Sequence, residues 1–302
     1  MLLRIFHFII QILSKIIHKK IFYTSFDSAI AHDQMAVLNP LGFWYVGNLY
    51  DSSDIAYGIA NNSAIIDEGN FVIRILEQIL ICQEEKEVIF YDIWANTWYF
   101  GILARSLPKV RIKTHFFEPL KIHTDCIRKS IYLNRIETDS YIHEIGLGKE
   151  NSQMAFYIAW SWSTLLSDFS GAEITWTCII DVKNLTDYQE EKSLWMPNFV
   201  KIDVEGNEYD VILWGLKVFE KSRPVLYVEI AKDLKNIWRD FININFDDIF
   251  IILQDIGYVA FSVSDDYKNV SKFLPWKENS GVHMYLFLHT TEHAHIISQY
   301  EN

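Results

Sequence analysis

The stretch 199–208, FVKIDVEGNE, carries the strongest indication of chemistry in this sequence. Lys201, Asp203 and Glu205 occupy alternate positions among apolar residues, and Gly206 opens a stretch with helical spacing. A buried strand that ends in carboxylates before a helix is typical of the carboxyl edge of an open α/β sheet, where such folds bind ligands. The alternative is an edge strand with one solvated face. We interpret the stretch as a ligand-binding or catalytic edge.

Acidic residues also close two earlier strand-like runs. Asp92 ends the run 88–93, and Glu118 follows the run 110–117. In a doubly wound nucleotide-binding sheet, an acid at the end of the second strand is placed to accept hydrogen bonds from ribose hydroxyls. The alternative for Glu118 is a solvated turn acid before Pro119.

The elements that must position these acids follow from the hydrophobic pattern. From residue 71 onward, strand-like runs alternate with helical spacing, which predicts right-handed βαβ units and a parallel sheet. The predicted strands are 88–93, 110–117, 141–145, 199–204, 224–230, 258–263 and 282–288, with excursion strands at 154–158 and 174–180. The predicted helices are 71–81, 98–107, 122–133, the stretch after Gly206, and a region around 233–256.

Length and composition bound the class of protein. The chain has 302 residues, half of them hydrophobic, so it can form a sizeable core in one large domain or in a domain with an extension. A net charge of −12 argues against nucleic acid as a partner, because a nucleic-acid binder needs a basic face. The three cysteines are odd in number and lack a CxxC, which predicts buried thiols in a reducing, cytoplasmic compartment: Cys82, Cys126 and Cys178.

The first 65 residues are predicted to form an N-terminal extension. Residues 1–17 form an apolar helix that is too short and too interrupted to span a membrane. This helix either packs on the main domain or makes a peripheral membrane contact through residues 1–20. Residues 21–65 are aromatic, with turn signals that predict short antiparallel strands.

The acidic strand ends lie within a longer pattern that resembles FkbM-type S-adenosylmethionine-dependent methyltransferases. The matching segments, in order, are Asp92–Phe100, Phe117–Pro119, Leu133–Asn134, Lys201–Gly206 and Arg223–Glu229. The resemblance covers roughly 70–290, and Lys201–Gly206 is its most specific part. It implies a class I methyltransferase domain over 66–302, Rossmann-like and doubly wound, with a mostly parallel sheet and a C-terminal antiparallel strand.

The resemblance also implies a reaction and a set of site residues. S-adenosyl-L-methionine would be the cofactor, and the usual reaction is methyl transfer to an oxygen of a sugar or a glycosylated product. The partner would therefore be a small-molecule or glycan acceptor. The implied cofactor-binding residues are Asp92, Trp94, Asn96, Glu118 and Gly146, although Gly146 could equally belong to a plain turn.

Methyl transfer to a hydroxyl needs an aligned nucleophile and a base that removes its proton. Asp203, Glu205 and Lys201 are the candidate catalytic residues, because they lie where the acceptor and the methyl group would meet. In an alternative interpretation, Lys201 forms an ion pair with Glu205 on the same face of the strand. Glu229 ends the next strand and could reach the same edge.

The cofactor loop departs from the family pattern at Trp94 and Trp98, where the family has glycine. Glycine permits positive φ and lets the backbone approach the cofactor closely, whereas an indole would project into or beside that space. There are two explanations. In the first, the chain is a degenerate family member that acts as a binding or scaffold protein. In the second, Trp94 and Trp98 correspond to UGA codons that the native genome reads as glycine. The presence of 12 Gly and 10 Trp favours the second explanation, and the codons decide it.

Two other site types are not expected. The C-terminal histidines are predicted to be a solvated tail rather than a metal site: His289, His293 and His295. A divalent ion at Asp203 is conceivable, but no His/Asp cluster with ligand spacing supports one, so no metal site is predicted. A nicotinamide oxidoreductase is disfavoured because no G-x-G-x-x-G follows a strand.

Overall fold

The structure is a computed structural model that describes residues 34–38, 43–48, 63–81, 87–97, 99–105, 111–158, 164–165, 176–233, 242–274 and 281–301. The predicted helix at 1–17, Cys82 and Trp98 lie outside these ranges. Within the described ranges, no helix has the length and apolar character needed to cross a membrane.

The described elements follow the predicted alternation of strands and helices. The strands are β1 (Gln34–Leu38), β2 (Trp44–Asn48), β3 (Glu87–Ile93), β4 (Arg111–Phe117), β5 (Ser140–His143), β6 (Gly146–Leu147), β7 (Ser152–Ile158), β8 (Trp176–Lys183), β9 (Phe199–Ile202), β10 (Val225–Asp233), β11 (Tyr258–Val263), β12 (Val270–Lys272) and β13 (Gly281–His289). The helices are α1 (Ser63–Ile81), α2 (Tyr99–Arg105), α3 (Lys121–Asn134), α4 (Leu185–Lys192), α5 (Glu208–Ser222), α6 (Phe246–Asp255) and α7 (Ala294–Tyr300).

The main sheet has the strand order β12-β11-β13-β10-β9-β3-β4-β5. Strands β10, β9, β3, β4 and β5 pair in parallel, and β13 is antiparallel to both β10 and β11. The predicted doubly wound, mostly parallel sheet with a C-terminal antiparallel strand is therefore confirmed. The chain reverses its direction of travel across the sheet between β3 and β9, which is where open α/β sheets bind ligands.

Helices cover both faces of this sheet, which explains why nearly every residue of β3, β4 and β9 is buried. On one face α1, α2, α3 and α7 pack, with Leu76 and Ile102 fully buried. On the other face α4, α5 and α6 pack, with Ile212 and Ile249 fully buried. Each such side chain contributes about 1.5–3 kcal/mol through burial.

A second, three-stranded sheet with the order β6-β8-β7 stands apart from the main sheet. Strands β7 and β8 pair antiparallel from Ser152↔Val182 to Ile158↔Trp176, which confirms the two excursion strands predicted there. Helix α4, which follows β8, was not predicted, because its sequence is mostly polar. The Asn184 side chain caps this helix by accepting hydrogen bonds from the N–H groups of Thr186 and Asp187.

Ahead of α1 in the chain, β1 and β2 form an antiparallel pair, as predicted for part of 21–65. The pair lies on α3. Val46 N–H donates to Ser130 Oγ at 2.9 Å, and Trp44 exchanges two 2.7 Å hydrogen bonds with the Asn134 side chain. These backbone bonds dock the pair on the main domain.

The prediction of a solvated histidine tail was wrong. His289 ends β13 and is 6% exposed, and His293 precedes α7 and is 7% exposed. The reason is that α7 packs back on the sheet through Ile296 and Ile297, so the turn before it is enclosed. Among the cysteines, Cys126 is buried as predicted, whereas Cys178 on β8 is only half-buried because the small sheet is covered incompletely.

Candidate active site at the carboxyl edge of the sheet

The register of three adjacent strands brings the predicted acids together. Asp92 on β3 is directly opposite Lys201 on β9, and Lys201 is opposite Tyr227 on β10. Asp203 follows the end of β9, and Glu229 lies on β10 two residues beyond Tyr227. Since parallel strands end at the same edge, their acidic ends converge there.

Lys201 is the cation at the centre of this edge. It is 5% exposed, and its Nζ lies 2.7 Å from Asp203 Oδ2 and 5.4 Å from the centre of the Phe100 ring. The alternative ion pair between Lys201 and Glu205 is therefore wrong, because the Lys201 ammonium pairs with Asp203. Burial alone would lower the pKa of Lys201, but the carboxylates of Asp203 and Asp92 outweigh it and raise that pKa.

Lys201 divides the surrounding carboxyl groups into two kinds. Burial would raise the pKa of Asp203, but Lys201 and a hydrogen bond from Glu229 hold it below its usual value, so Asp203 is ionised. Burial and then the Asp203 charge raise the pKa of Glu205 and of Glu229 well above the usual range. One ionised acid thus stands beside acids that take up protons readily, an arrangement typical of acid–base sites.

Two further acids, which the sequence analysis did not single out, join the cluster from helices. Glu68 on α1 accepts a 3.0 Å hydrogen bond from Tyr227 Oη, and burial raises its pKa to about 7. Glu208 at the start of α5 is 2% exposed and accepts a 2.8 Å hydrogen bond from Gly206 N–H. Burial also raises the pKa of Glu208 to about 7.

The raised pKa of Glu68 predicts how stability depends on pH. Between its ordinary value of 4.5 and about 7, the folded protein keeps a proton on Glu68 that the unfolded chain has lost. This contribution to stability is therefore complete below 4.5 and is lost as pH rises through about 7. Glutamine cannot lose a proton, so E68Q should reduce the fall in unfolding free energy between about pH 5 and about pH 8 by about 2–3 kcal/mol.

The measurement is urea unfolding at both pH values in the presence of a chelator. Glu77→Gln, on the exposed side of the same helix, serves as the matched control and should leave the fall unchanged. An E68Q protein with the same pH dependence as the wild type would contradict the assignment.

The loop after β3 forms the second half of the edge. Asp92 is 1% exposed, its Oδ2 accepts from Gly101 N–H at 3.1 Å, and burial raises its pKa to about 6. Trp94 and Asn96 both adopt left-handed backbone conformations, with φ of 66° and 51°. Such a φ in a bulky residue is strained and is concentrated at functional sites. Trp98 is not among the described residues.

The Trp94 indole is buried rather than extended into solvent. It is 6% exposed, and its ring centre lies 5.3 Å from that of Phe156 on β7. A Cβ added to Gly146 would lie 3.5 Å from Trp94 Cζ3 and 3.1 Å from Ile180 Cδ1. The indole therefore fills the space between the loop and the small sheet, next to Gly146.

Glu118 is a buried acid that ties the loop to the next helix. It is 1% exposed and accepts hydrogen bonds from Asn96 N–H at 2.8 Å, from Leu120 N–H at 2.9 Å and from His123 Nδ1 at 3.1 Å. The alternative of a solvated turn acid is therefore excluded. Three internal contacts leave its carboxylate little free acceptor capacity, so its direct part here is to hold the Asn96 loop.

Taken together, a doubly wound sheet with an acidic crevice where its strand order reverses defines a Rossmann-like α/β fold with a ligand site at the carboxyl edge of its strands. The Methyltransferase FkbM domain family matches residues 87–260, more than half of the chain. The chain belongs to this family. No curated protein matches it in sequence.

Solved structures give weaker likenesses. An FkbM methyltransferase from Methylobacillus flagellatus KT is 13% identical over 76% of this chain and 55% of its own, with a TM-score of 0.43. A SAM-dependent methyltransferase from Agrobacterium tumefaciens is 6% identical over 86% and 71%, with a TM-score of 0.46. An O-methyltransferase from Bacillus cereus in complex with SAH is 11% identical over 76% and 90%, with a TM-score of 0.41. Family membership therefore rests on the sequence match. The chain spans about half of the length of the Methylobacillus flagellatus KT protein.

Proposed function

We propose that the protein is an S-adenosylmethionine-dependent O-methyltransferase that acts on a hydroxyl of a sugar or glycosylated product. The observation that carries this proposal is the meeting of two half-sites at one edge. Asp92 and the strained loop after it lie on β3, and the acids around Lys201 lie on β9, the adjacent strand. FkbM family membership supports the reaction class.

Two orphan acceptors indicate that the loop suits this cofactor. The Oδ1 atoms of Asp92 and Asn96 are buried and have no hydrogen-bond partner within the described part of the chain. S-adenosylmethionine offers an ammonium group and ribose hydroxyls as donors, and its positive charges suit an acidic edge. The cofactor would therefore be held by Asp92, Asn96 and the loop at Trp94. Glu118 would position this loop, and Gly146 would lie beside the adenine.

When bound, S-adenosylmethionine supplies a methyl group whose bond to sulfur breaks as the acceptor oxygen bonds to the methyl carbon. The acceptor hydroxyl loses its proton in this step, and a carboxylate of this chain must receive it. We assign Glu205 as the base, because its raised pKa makes its ionised form more basic than that of Asp203. Lys201 keeps Asp203 ionised and fixed, so Asp203 can orient the acceptor hydroxyl.

One observation favours a second function, that of a binding or scaffold protein with a closed cofactor loop. The buried Trp94 indole occupies space beside Gly146, where a glycine at position 94 would leave a gap. In this case the acidic edge binds a ligand without methyl transfer.

The experiment that separates the two functions is a titration of S-adenosylmethionine into the full chain, followed by an S-adenosylhomocysteine release assay across glycan and lipid-linked acceptors. We expect binding and turnover, and we expect E205Q to keep cofactor binding while lowering turnover about 10²–10⁴-fold. Glu220→Gln, an exposed acid on α5, is the matched control and should change neither. Absence of binding at millimolar cofactor would sink the enzyme proposal.

A further inference from the structure

We propose that Asp203, Glu205 and Glu229 form a binding site for one divalent cation with oxygen ligands, of the Mg²⁺, Mn²⁺ or Ca²⁺ class. The sequence predicted no metal site. The catalytic part assigned to the ion rests on the proposed methyl transfer, whereas its binding does not.

The geometry of the three carboxyl groups fits a single ion. One oxygen from each of Asp203, Glu205 and Glu229 lies within 4.8 Å of the other two. The ligand oxygens of one Mg²⁺ or Ca²⁺ ion lie about 3–5 Å from one another, so three oxygens within that range can share an ion. No nitrogen or sulfur ligand takes part in the group, which favours a hard cation over zinc.

The backbone holds two of the ligands in place before any ion binds. Glu205 has a φ of 51°, in the left-handed region, and its carbonyl accepts a 2.7 Å hydrogen bond from Thr164 Oγ1. Glu229 lies within β10, which pairs with neighbours on both sides. A preorganised set of ligands loses little entropy on binding an ion.

Unpartnered buried oxygens around the three ligands point to an absent cation independently. Glu208 is 2% exposed, and its Oε2 has no hydrogen-bond partner in the described residues. The charges of Asp203 and Glu205 act on the Glu208 carboxyl group, which therefore lies next to the three ligands. Asp203 Oδ1 is likewise buried and has no N–H donor within the described residues. Buried acceptors normally have partners, and a bound cation would supply one to these oxygens.

Lys201 supplies only part of that charge. Its ammonium lies on Asp203 Oδ2, which leaves Oδ1 free for another cation. When an ion binds, Glu205 and Glu229 ligate as carboxylates and release the protons that their raised pKa values otherwise retain. Three carboxylates beside one ammonium then leave two excess negative charges, which one divalent ion balances. Ligation and the Lys201 contact are therefore compatible, because they use different oxygens of Asp203.

At this position the ion would bind the hydroxyl of the acceptor rather than the cofactor. A divalent ion that binds a hydroxyl oxygen lowers its pKa and fixes its direction of attack. Glu205 ligates through one carboxylate oxygen and keeps the other for the proton that the hydroxyl releases. The substrate class this favours is an acceptor with neighbouring hydroxyls, which can chelate the ion.

The test uses Mn²⁺ and the full chain after treatment with a chelator. Free Mn²⁺ is followed by electron paramagnetic resonance during a titration without cofactor. We expect one Mn²⁺ per chain, competition by Mg²⁺ or Ca²⁺ but not by sodium chloride, and a loss of affinity of about tenfold or more in E229Q. The control E220Q should bind as the wild type does. Circular dichroism checks that each variant is folded.

Two results would overturn the site. One is no depletion of free Mn²⁺ by the wild-type protein up to about 1 mM, the weak limit for protein Ca²⁺ sites. The other is binding that survives unchanged in folded E229Q. A parallel titration of S-adenosylmethionine into metal-free and Mn²⁺-loaded protein keeps the two proposals distinct: Mn²⁺ binding without cofactor binding rejects only the methyltransferase, and the reverse rejects only the ion site.

Discussion

Replacing Trp94 by glycine is expected to tighten the binding of S-adenosylmethionine by about tenfold or more, which corresponds to about 1.4 kcal/mol. Glycine adopts the observed φ of 66° without strain, and removal of the indole opens the space beside Gly146 for the cofactor. The same change should lower stability, because deleting a large buried aromatic side chain costs about 3–5 kcal/mol. The two effects have opposite signs, so calorimetric titration and urea unfolding of W94G separate them.

Trp195→Gly is the matched control, because Trp195 is 46% exposed and lies on a loop away from the cofactor edge. It should leave cofactor affinity unchanged. The double variant W94G/W98G extends the test to the second family glycine position. Equal or weaker cofactor binding by W94G would show that the indole does not obstruct the site. The codons at 94 and 98 test the decoding explanation separately, since UGG at both positions rejects it.

Replacing Lys201 by methionine is expected to destabilise the protein by about 3–5 kcal/mol at about pH 8. The side chain is buried, and its removal leaves the carboxylate of Asp203 without its 2.7 Å partner, among acids that are already short of positive charge. The raised pKa of Lys201 means that its own charge is complete throughout the range from pH 5 to pH 8. Any pH dependence of the loss must therefore come from the carboxyl groups.

The sign of that dependence follows from the same groups. Without Lys201, the pKa of Asp203 is no longer held low, so the acid becomes protonated as pH falls and the unfavourable charge disappears. The loss in K201M should be smaller at about pH 5 than at about pH 8, measured by urea unfolding with a chelator present. Lys217→Met, exposed on α5, controls for the loss of a surface lysine. A loss below about 1 kcal/mol at both pH values, as for a surface pair, contradicts this account.

The parts of the fold that the sequence predicts are those whose residues carry their own periodicity. Strands β3 and β4 are buried on both faces and rich in β-branched and aromatic residues, and their limits were predicted to within one residue. Helix α4 lacks an apolar stripe, and the clue was its cap: Asn184 just before the helix, with Asp187 in the first turn. The enclosure of His293 depends on where α7 packs, which local sequence does not encode.

The candidate site was predictable where strand ends carry the acids, and not where packing does. Asp92, Asp203 and Glu205 are found by their position after strands. Glu68 and Glu208 lie in helices and look like ordinary surface acids until tertiary contacts bury them. The sequence placed Glu229 at the same edge as Asp203 and Glu205. It did not predict that the three carboxylates meet, because Glu229 comes from a different strand and no short spacing marks the group.

The position of β13 has a consequence for biosynthesis. This strand is made after β10 and β11 but lies between them, hydrogen-bonded to both. While the ribosome is still translating the residues before Gly281, each of those strands has an unpaired edge that other chains can join. A nascent chain therefore cannot complete its sheet during most of synthesis, and the risk of aggregation is greatest just before the last strand leaves the exit tunnel.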